Sequence, residues 1–216
     1  MRLKCSLPLA ASVLLVMVGG IADGFAALAP AKAILTGLLG TAEYSHAGNA
    51  FVPVKKGTVF EAGDVIKTDR GSAMDVYFGP LAGTVRLTES TTLVIEKSTA
   101  AEGREGAAFE LTLNLREGEI LGRVERHGGT SRFEVKVPAG MGRIAEGQFR
   151  IDARGYVVLL DGKAGFVHVP ASGEPVPHTL QAPPATYFSP VEGVRPAPSV
   201  LVKEVANQNR SKLPKG

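Results

Sequence analysis

The sequence predicts an all-β chain of many short strands, arranged as a rolled sandwich or an irregular β-solenoid-like stack. Three observations carry this prediction. Apolar and polar residues alternate over short runs; Gly and Pro punctuate the chain between those runs; and the composition, with 26 Gly, 14 Pro and no Trp among 216 residues, suits tight turns better than long helices. Alternation with period two turns one face of a run inward and leaves the other wet.

The first 33 residues read as an export signal. Arg2 and Lys4 precede seventeen uncharged residues, Ser6 to Ala22, and small residues follow, which are the parts of a secretory leader. Cleavage after Ala22, Ala26 or Ala33 leaves small residues at the positions that a signal peptidase reads. The rival reading is an uncleaved membrane anchor, since seventeen residues reach the lower limit for spanning a bilayer. Pro8 and Gly19-Gly20 weaken the helix that an anchor needs.

Cys5 is the only cysteine and lies ahead of the apolar stretch, where lipid acylation is not expected. A chain cut after Ala33 therefore has no disulfide and no thiolate chemistry. The leader takes with it three cations, Arg2, Lys4 and Lys32, and one anion, Asp23, so the formal charge falls from +3 to +1. A nearly neutral chain lacks the basic stripe that nucleic acid requires, and nucleic acid is not expected as a partner.

Strand by strand, "SAMDVYF" points Met74, Val76 and Phe78 inward, "TVRLT" Val85 and Leu87, "TLVIE" Leu93 and Ile95. "FELTLNLR" does the same with Phe109, Leu111, Leu113 and Leu115, and "RFEVKV" with Phe133, Val135 and Val137. Residues 97–108 are small and charged without periodicity and read as an exposed loop. "YVVLLDGKAGFVHV" is continuously apolar from Tyr156 to Leu160, which predicts deeper burial, and Asp161-Gly162 reads as a two-residue hairpin turn.

Nine of the fourteen prolines fall between Pro170 and Gly216. Proline cannot donate to a ladder, so that density excludes central strands and favours an extended tail. Ser199 to Leu213 could close the chain as a short helix with Ser199 as its cap, or as a frayed end. The expected organisation is thus leader 1–33, β domain 34–169 and proline-rich tail 170–216.

No nucleophile elbow, phosphate loop or His-Glu-x-x-His helix is present. His46, His127, His168 and His178 stand far apart in sequence, without metal-pair spacing. Carboxylates are scattered along the chain from Glu61 to Asp161; glycosidase chemistry would need two of them on one sugar bond, and sequence cannot pair them. No catalytic, metal or cofactor residues are expected.

Pro53 to Lys97, with Gly57, then Gly63-Asp64-x-Ile66-x-Thr68, an alternating strand and "TTLVIE", resembles the first part of the FecR domain, the periplasmic module of iron-dicitrate-type sigma-factor regulators. "LTLNLREGEILGRV" and "FEVKVPAG" resemble its next two steps. At Ala145-Glu146-Gly147-Gln148-Phe149 the match to the family's Arg-Gly-Thr-x-Phe loosens: only Gly147 and Phe149 remain, two positions apart instead of three. The resemblance implies a non-enzymatic extracytoplasmic binding, signalling or scaffolding module of the bacterial cell envelope, with Gly57, Gly63, Asp64, Ile66, Thr68, Gly147 and Phe149 as structural positions. It implies an envelope protein as partner, with glycan a further option and membrane only if the leader stays attached. A sigma-regulator role does not follow, because only eight residues precede the place of the membrane helix. The alternatives are an envelope glycan-active enzyme using paired carboxylates and a sensor anchored by the uncleaved N-terminal helix.

Overall fold

The computed structural model describes residues 28–80, 82–103, 106–125 and 131–210. The expected leader up to residue 27, His127 and Gly128-Gly129 lie outside them. The strands are β1 (Ala29–Pro30), β2 (Ala33–Leu39), β3 (Ala42–Ser45), β4 (Val52–Pro53), β5 (Val59–Phe60), β6 (Val65–Thr68), β7 (Ala73–Tyr77), β8 (Thr84–Leu87) and β9 (Thr92–Gly103). There follow β10 (Gly106–Glu117), β11 (Glu119–Val124), β12 (Arg132–Val137), β13 (Gly140–Asp152), β14 (Val157–Leu159), β15 (Gly162–His168), β16 (Val176–Ala182), β17 (Thr186–Ser189), β18 (Gly193–Pro196) and the helix α1 (Ser199–Arg210).

The ladders form two sheets. Sheet A runs β4-β3-β6-β9-β10-β12-β13-β15-β16, with β1 on the far end of β9. Sheet B runs β5-β2-β7-β8-β11-β13-β14-β17-β18. Every pairing is antiparallel except β10 with β12. The strand β13 belongs to both sheets: Gly140 to Glu146 lie in sheet A and Gly147 to Asp152 in sheet B. The sheets curl over one core in a barrel-like roll.

In layers the fold is a rolled sandwich. In progression it is solenoid-like, because strand order along each sheet follows chain order after the first pair. The sequence left these two descriptions open, and the chain satisfies both by stepping repeatedly from one sheet to the other.

The expected inward residues build the core: Met74, Val85, Leu87, Leu93, Ile95, Leu113, Phe133 and Val135 are wholly buried. Aromatic contacts bridge the sheets at Tyr44–Phe60 (5.4 Å), Phe133–Phe149 (5.4 Å) and Phe166–Phe188 (4.9 Å), each joining a residue of sheet A to one of sheet B. Each such pair adds about 0.5–1.5 kcal/mol beyond its buried area.

The structure corrects three expectations. Residues 97–103 and 106–108 are not loop but extend the β9–β10 hairpin, and 104–105 lie outside the described residues. The sequence there has no apolar alternation to mark a buried face, and the extension is made by the backbone ladder, with Lys97 paired to Glu110.

Asp161-Gly162 is not a hairpin turn either. The strand β14 pairs with β13 and β17 in sheet B, and β15 with β13 and β16 in sheet A, so the dipeptide carries the chain between sheets. The deep burial expected before it is real: Val157, Val158 and Leu159 are all buried.

The proline-rich segment is no free tail. It supplies β16, β17 and β18, and Leu180 and Phe188 sit in the main core. Pro177 lies on β16, the edge of sheet A, and Pro196 on β18, the edge of sheet B, where a missing N–H costs no ladder bond. The strand β17, which is interior, contains no proline. The chain then ends its described part in α1, and no helix among the described residues is long and apolar enough to cross a membrane.

Candidate functional site

The Gly63-Asp64 corner joins β5 to β6. Gly63 adopts φ +97°, a conformation that glycine enters without a Cβ penalty. Its N–H donates to the Ile95 carbonyl at 2.7 Å, while the Asp64 carbonyl accepts the Ile95 N–H at 3.0 Å. The Asp64 carboxylate is 1% exposed, accepts the Glu61 N–H at 2.9 Å and meets His46 Nδ1 at 2.5 Å. This geometry ties the turn to β9 and to the loop after β3. Among the described residues no hydroxyl or thiol nucleophile bonds to the His46 ring, so the pair fastens a turn rather than forming a relay.

The other motif positions are also built into the frame. Gly57 lies in the turn before β5, and Ile66 is wholly buried in β6. Thr68 is 5% exposed; its hydroxyl donates to the Thr88 carbonyl at 2.5 Å and accepts the Thr91 N–H at 3.0 Å. Thr91 Oγ1 in turn accepts the Glu119 N–H at 3.1 Å, so two buried threonines stitch together the turns before β9 and β11. Gly147 is the residue at which β13 changes sheets, and Phe149 beyond it packs on Phe133.

The outer faces of the sheets differ. Across sheet A, Asn114, Lys136, Met141, Val167 and Pro177 stand in one register row. Together with Pro138 and Val169, the middle of this row lines an open recess of about 570 Å³ whose surface is mostly apolar. Its polar margin is Lys136, which binds Glu96 at 2.6 Å, with Asn114 also donating to Glu96 at 2.8 Å. These bonds hold the Glu96 carboxyl below its ordinary range, the Lys136 bond being the larger cause. Arg143, two positions along β13 from Met141, is exposed and makes no ion pair among the described residues. Sequence reasoning missed this recess. The legible signal was Met141 and Val167, apolar at outward positions where other strands carry polar residues.

Sheet B bears a charged recess of about 130 Å³ between β13, β14, β17 and α1. Asp152, which lines it, faces Glu119 across β13 and β11, a register that brings Cβ atoms to about 5 Å. Burial pushes the Glu119 carboxyl up, against the pull of Arg150. Both carboxylates are engaged, however. Glu119 holds Arg150 Nε at 2.5 Å, and Asp152 accepts the Arg154 N–H (2.9 Å), the Tyr156 N–H (3.0 Å) and the Arg154 guanidinium (2.7 Å). A glycan cleft needs two carboxyls free to reach a sugar bond and a volume of about 300 Å³ or more; this recess offers neither.

The histidines that stand apart in sequence partly converge. His168 and His178 both pack on Phe188, at 5.7 Å and 4.5 Å between ring centroids, and His168 Nδ1 meets the Ala139 carbonyl at 3.0 Å. Burial, then the neighbouring His168, holds the His178 pKa below its usual value. No group of three or more His, Cys, Asp or Glu converges on a metal-sized space among the described residues.

Over the described residues the fold is a rolled all-β domain with a broad apolar recess on the outer face of sheet A. No family model matches the chain, and comparison with curated proteins and with solved structures gives no match.

Proposed function

We propose that this chain is a non-enzymatic, FecR-like binding or scaffolding module of the bacterial cell envelope that meets a protein partner through the outer face of sheet A. The carrying observation is the apolar recess around Met141, Val167 and Val169. Its neighbour Arg143 is an exposed cation without an ion pair among the described residues, and it favours a partner segment that presents an aliphatic side chain beside a carboxylate. The FecR resemblance supports the reading through residues that the fold uses structurally, Gly63, Asp64, Thr68 and Gly147.

Face docking suits this domain better than strand addition. Among the described residues the outermost strands are short or carry a proline: Pro30 on β1, Pro53 on β4, Pro177 on β16 and Pro196 on β18, while β5 is two residues long. Short or proline-bearing edges are poor templates for an added strand.

Export belongs to the same proposal. Ala33 is wholly buried, the Ala31 N–H donates to the Ser98 carbonyl at 2.9 Å, and Lys32 pairs with Glu61 at 2.8 Å. Cleavage after Ala33 would remove these ties together with β1, so Ala22 or Ala26 is the cut that keeps the domain whole.

The test is capture from envelope extract with the full exported chain, side by side with Val167→Asp and with Val191→Asp, the latter 87% exposed on a distant turn. A captured protein that disappears with Val167→Asp and persists with Val191→Asp supports the reading. Capture of nothing above control by the wild type, or equal capture by both variants, defeats it.

A further inference from the structure

The helix α1 lies across the strands of sheet B, not along them. Beneath it runs one register row of outward side chains, Arg86, Leu121, Arg150, Val158 and Tyr187, on β8, β11, β13, β14 and β17. Leu201 sits over Val158 and Tyr187, Glu204 binds Arg150 at 3.1 Å, Val205 packs on Leu121 and Val158, and Arg86 Nη1 donates to the Gln208 carbonyl at 2.5 Å. Each step of three or four residues in the helix therefore meets a further strand. This works because one helical turn advances about 5.4 Å and neighbouring strands lie about 4.8 Å apart. The face alternates cation and apolar side chain, and the helix answers with apolar, acidic, apolar and then the negative end of its dipole.

The attachment is thin. Val205 is the one buried residue of α1, and its cluster with Leu121 and Val158 is separate from the main core. Asn209 Nδ2 is buried without a hydrogen-bond partner among the described residues. The helix has twelve residues, at or below the length at which an isolated helix holds in water, and it joins β18 through Ala197 and Pro198 alone. Lifting it would bare Leu121 and Val158 while leaving the main core closed.

We propose that the outer face of sheet B is a docking surface for an amphipathic helix, that α1 is its resident occupant, and that a partner protein's helix of pattern apolar-x-x-acidic-apolar takes the same place. The surface is distinct from the recess on sheet A and does not depend on the reading given for it. The chemistry of the partner is defined by α1 itself: Leu201, Glu204 and Val205 mark the groups that the face already accepts.

The probe is a labelled synthetic peptide of residues 199–210, added to the full chain and to its Val205→Asp variant, with binding followed by fluorescence anisotropy. The variant should bind the peptide saturably and at least about tenfold more tightly than the wild type, in which α1 occupies the face. A peptide that itself carries Val205→Asp should not bind. No saturable binding to the folded variant up to about 1 mM overturns the proposal. If the variant does not fold, amide hydrogen exchange on the wild type decides: α1 amides at least about tenfold faster than those of β11 support a removable helix, and equal protection of the two overturns it.

Discussion

Gly147 and Gly162 lie back to back where the chain passes between the sheets: a Cβ on Gly162 would stand 2.9 Å from the Gly147 Cα. A Cβ on Gly147 would overlap the Asp161 carbonyl, and one on Gly162 the Glu146 carbonyl. Both residues have positive φ, +113° and +86°. Two crossings can stack this closely only where neither has a side chain.

Gly147→Ala and Gly162→Ala should therefore each destabilise the fold by about 3 kcal/mol or more, combining backbone strain with overlap. Gly57→Ala, at φ +78° with open space around it, should cost only about 1–2 kcal/mol. Urea midpoints of the three variants provide the comparison. The double glycine variant should lose less than the sum, since both substitutions disturb the same contact between the two crossings.

At the corner, Asp64→Ala strips the Glu61 N–H and His46 of their acceptor in a buried place, and should cost about 1–3 kcal/mol. Asp64→Asn keeps an acceptor oxygen and should cost less than half as much. Equal losses from the two substitutions in chemical unfolding would contradict the turn-fastening role.

The lowered pKa of His178 gives a signed pH effect. The unfolded histidine titrates at its ordinary value and the folded one below it, so its stabilising contribution is complete above about pH 6.5 and declines as the pH falls toward the folded value. Glu119, raised by burial, acts oppositely: its charged form costs stability once the pH rises through its folded value. The difference in urea midpoint between pH 7.5 and pH 5.5 should shrink in His178→Gln; an unchanged difference would remove His178 as its cause.

Intact mass of the chain recovered from a periplasmic fraction tests the proposed export and leader cleavage. A mature N-terminus at residue 23 or 27 is expected, and its unfolding should be one cooperative transition that includes β1. A mature chain that begins at Ile34 and still unfolds with the same midpoint would show that the ties of Ala31, Lys32 and Ala33 contribute nothing.

Much of the frame was legible because a half-buried strand writes its period into the sequence. Met74, Val76, Val85, Leu87, Phe109, Leu111 and Phe133 all face the core as their alternation requires. The hairpin extension at residues 97–103 and 106–108 was not legible, because its ladder bonds are made by backbone that every residue carries. The recess on sheet A was half-legible: Met141 and Val167 are visibly apolar, but which outward residues stand side by side depends on the register of strands distant in sequence.

By itself the sequence determined the all-β class, the inward faces and the turn at Gly63-Asp64, since period-two burial and glycine stereochemistry are local physics. Only the tertiary structure decided that Asp161-Gly162 crosses between sheets instead of closing a hairpin, that the proline-rich segment completes both sheets, and that Val158 is covered from outside by Val205. A run of apolar residues records that both faces of a strand are dry. It cannot record what dries them, because that is set by pairing between segments tens of residues apart.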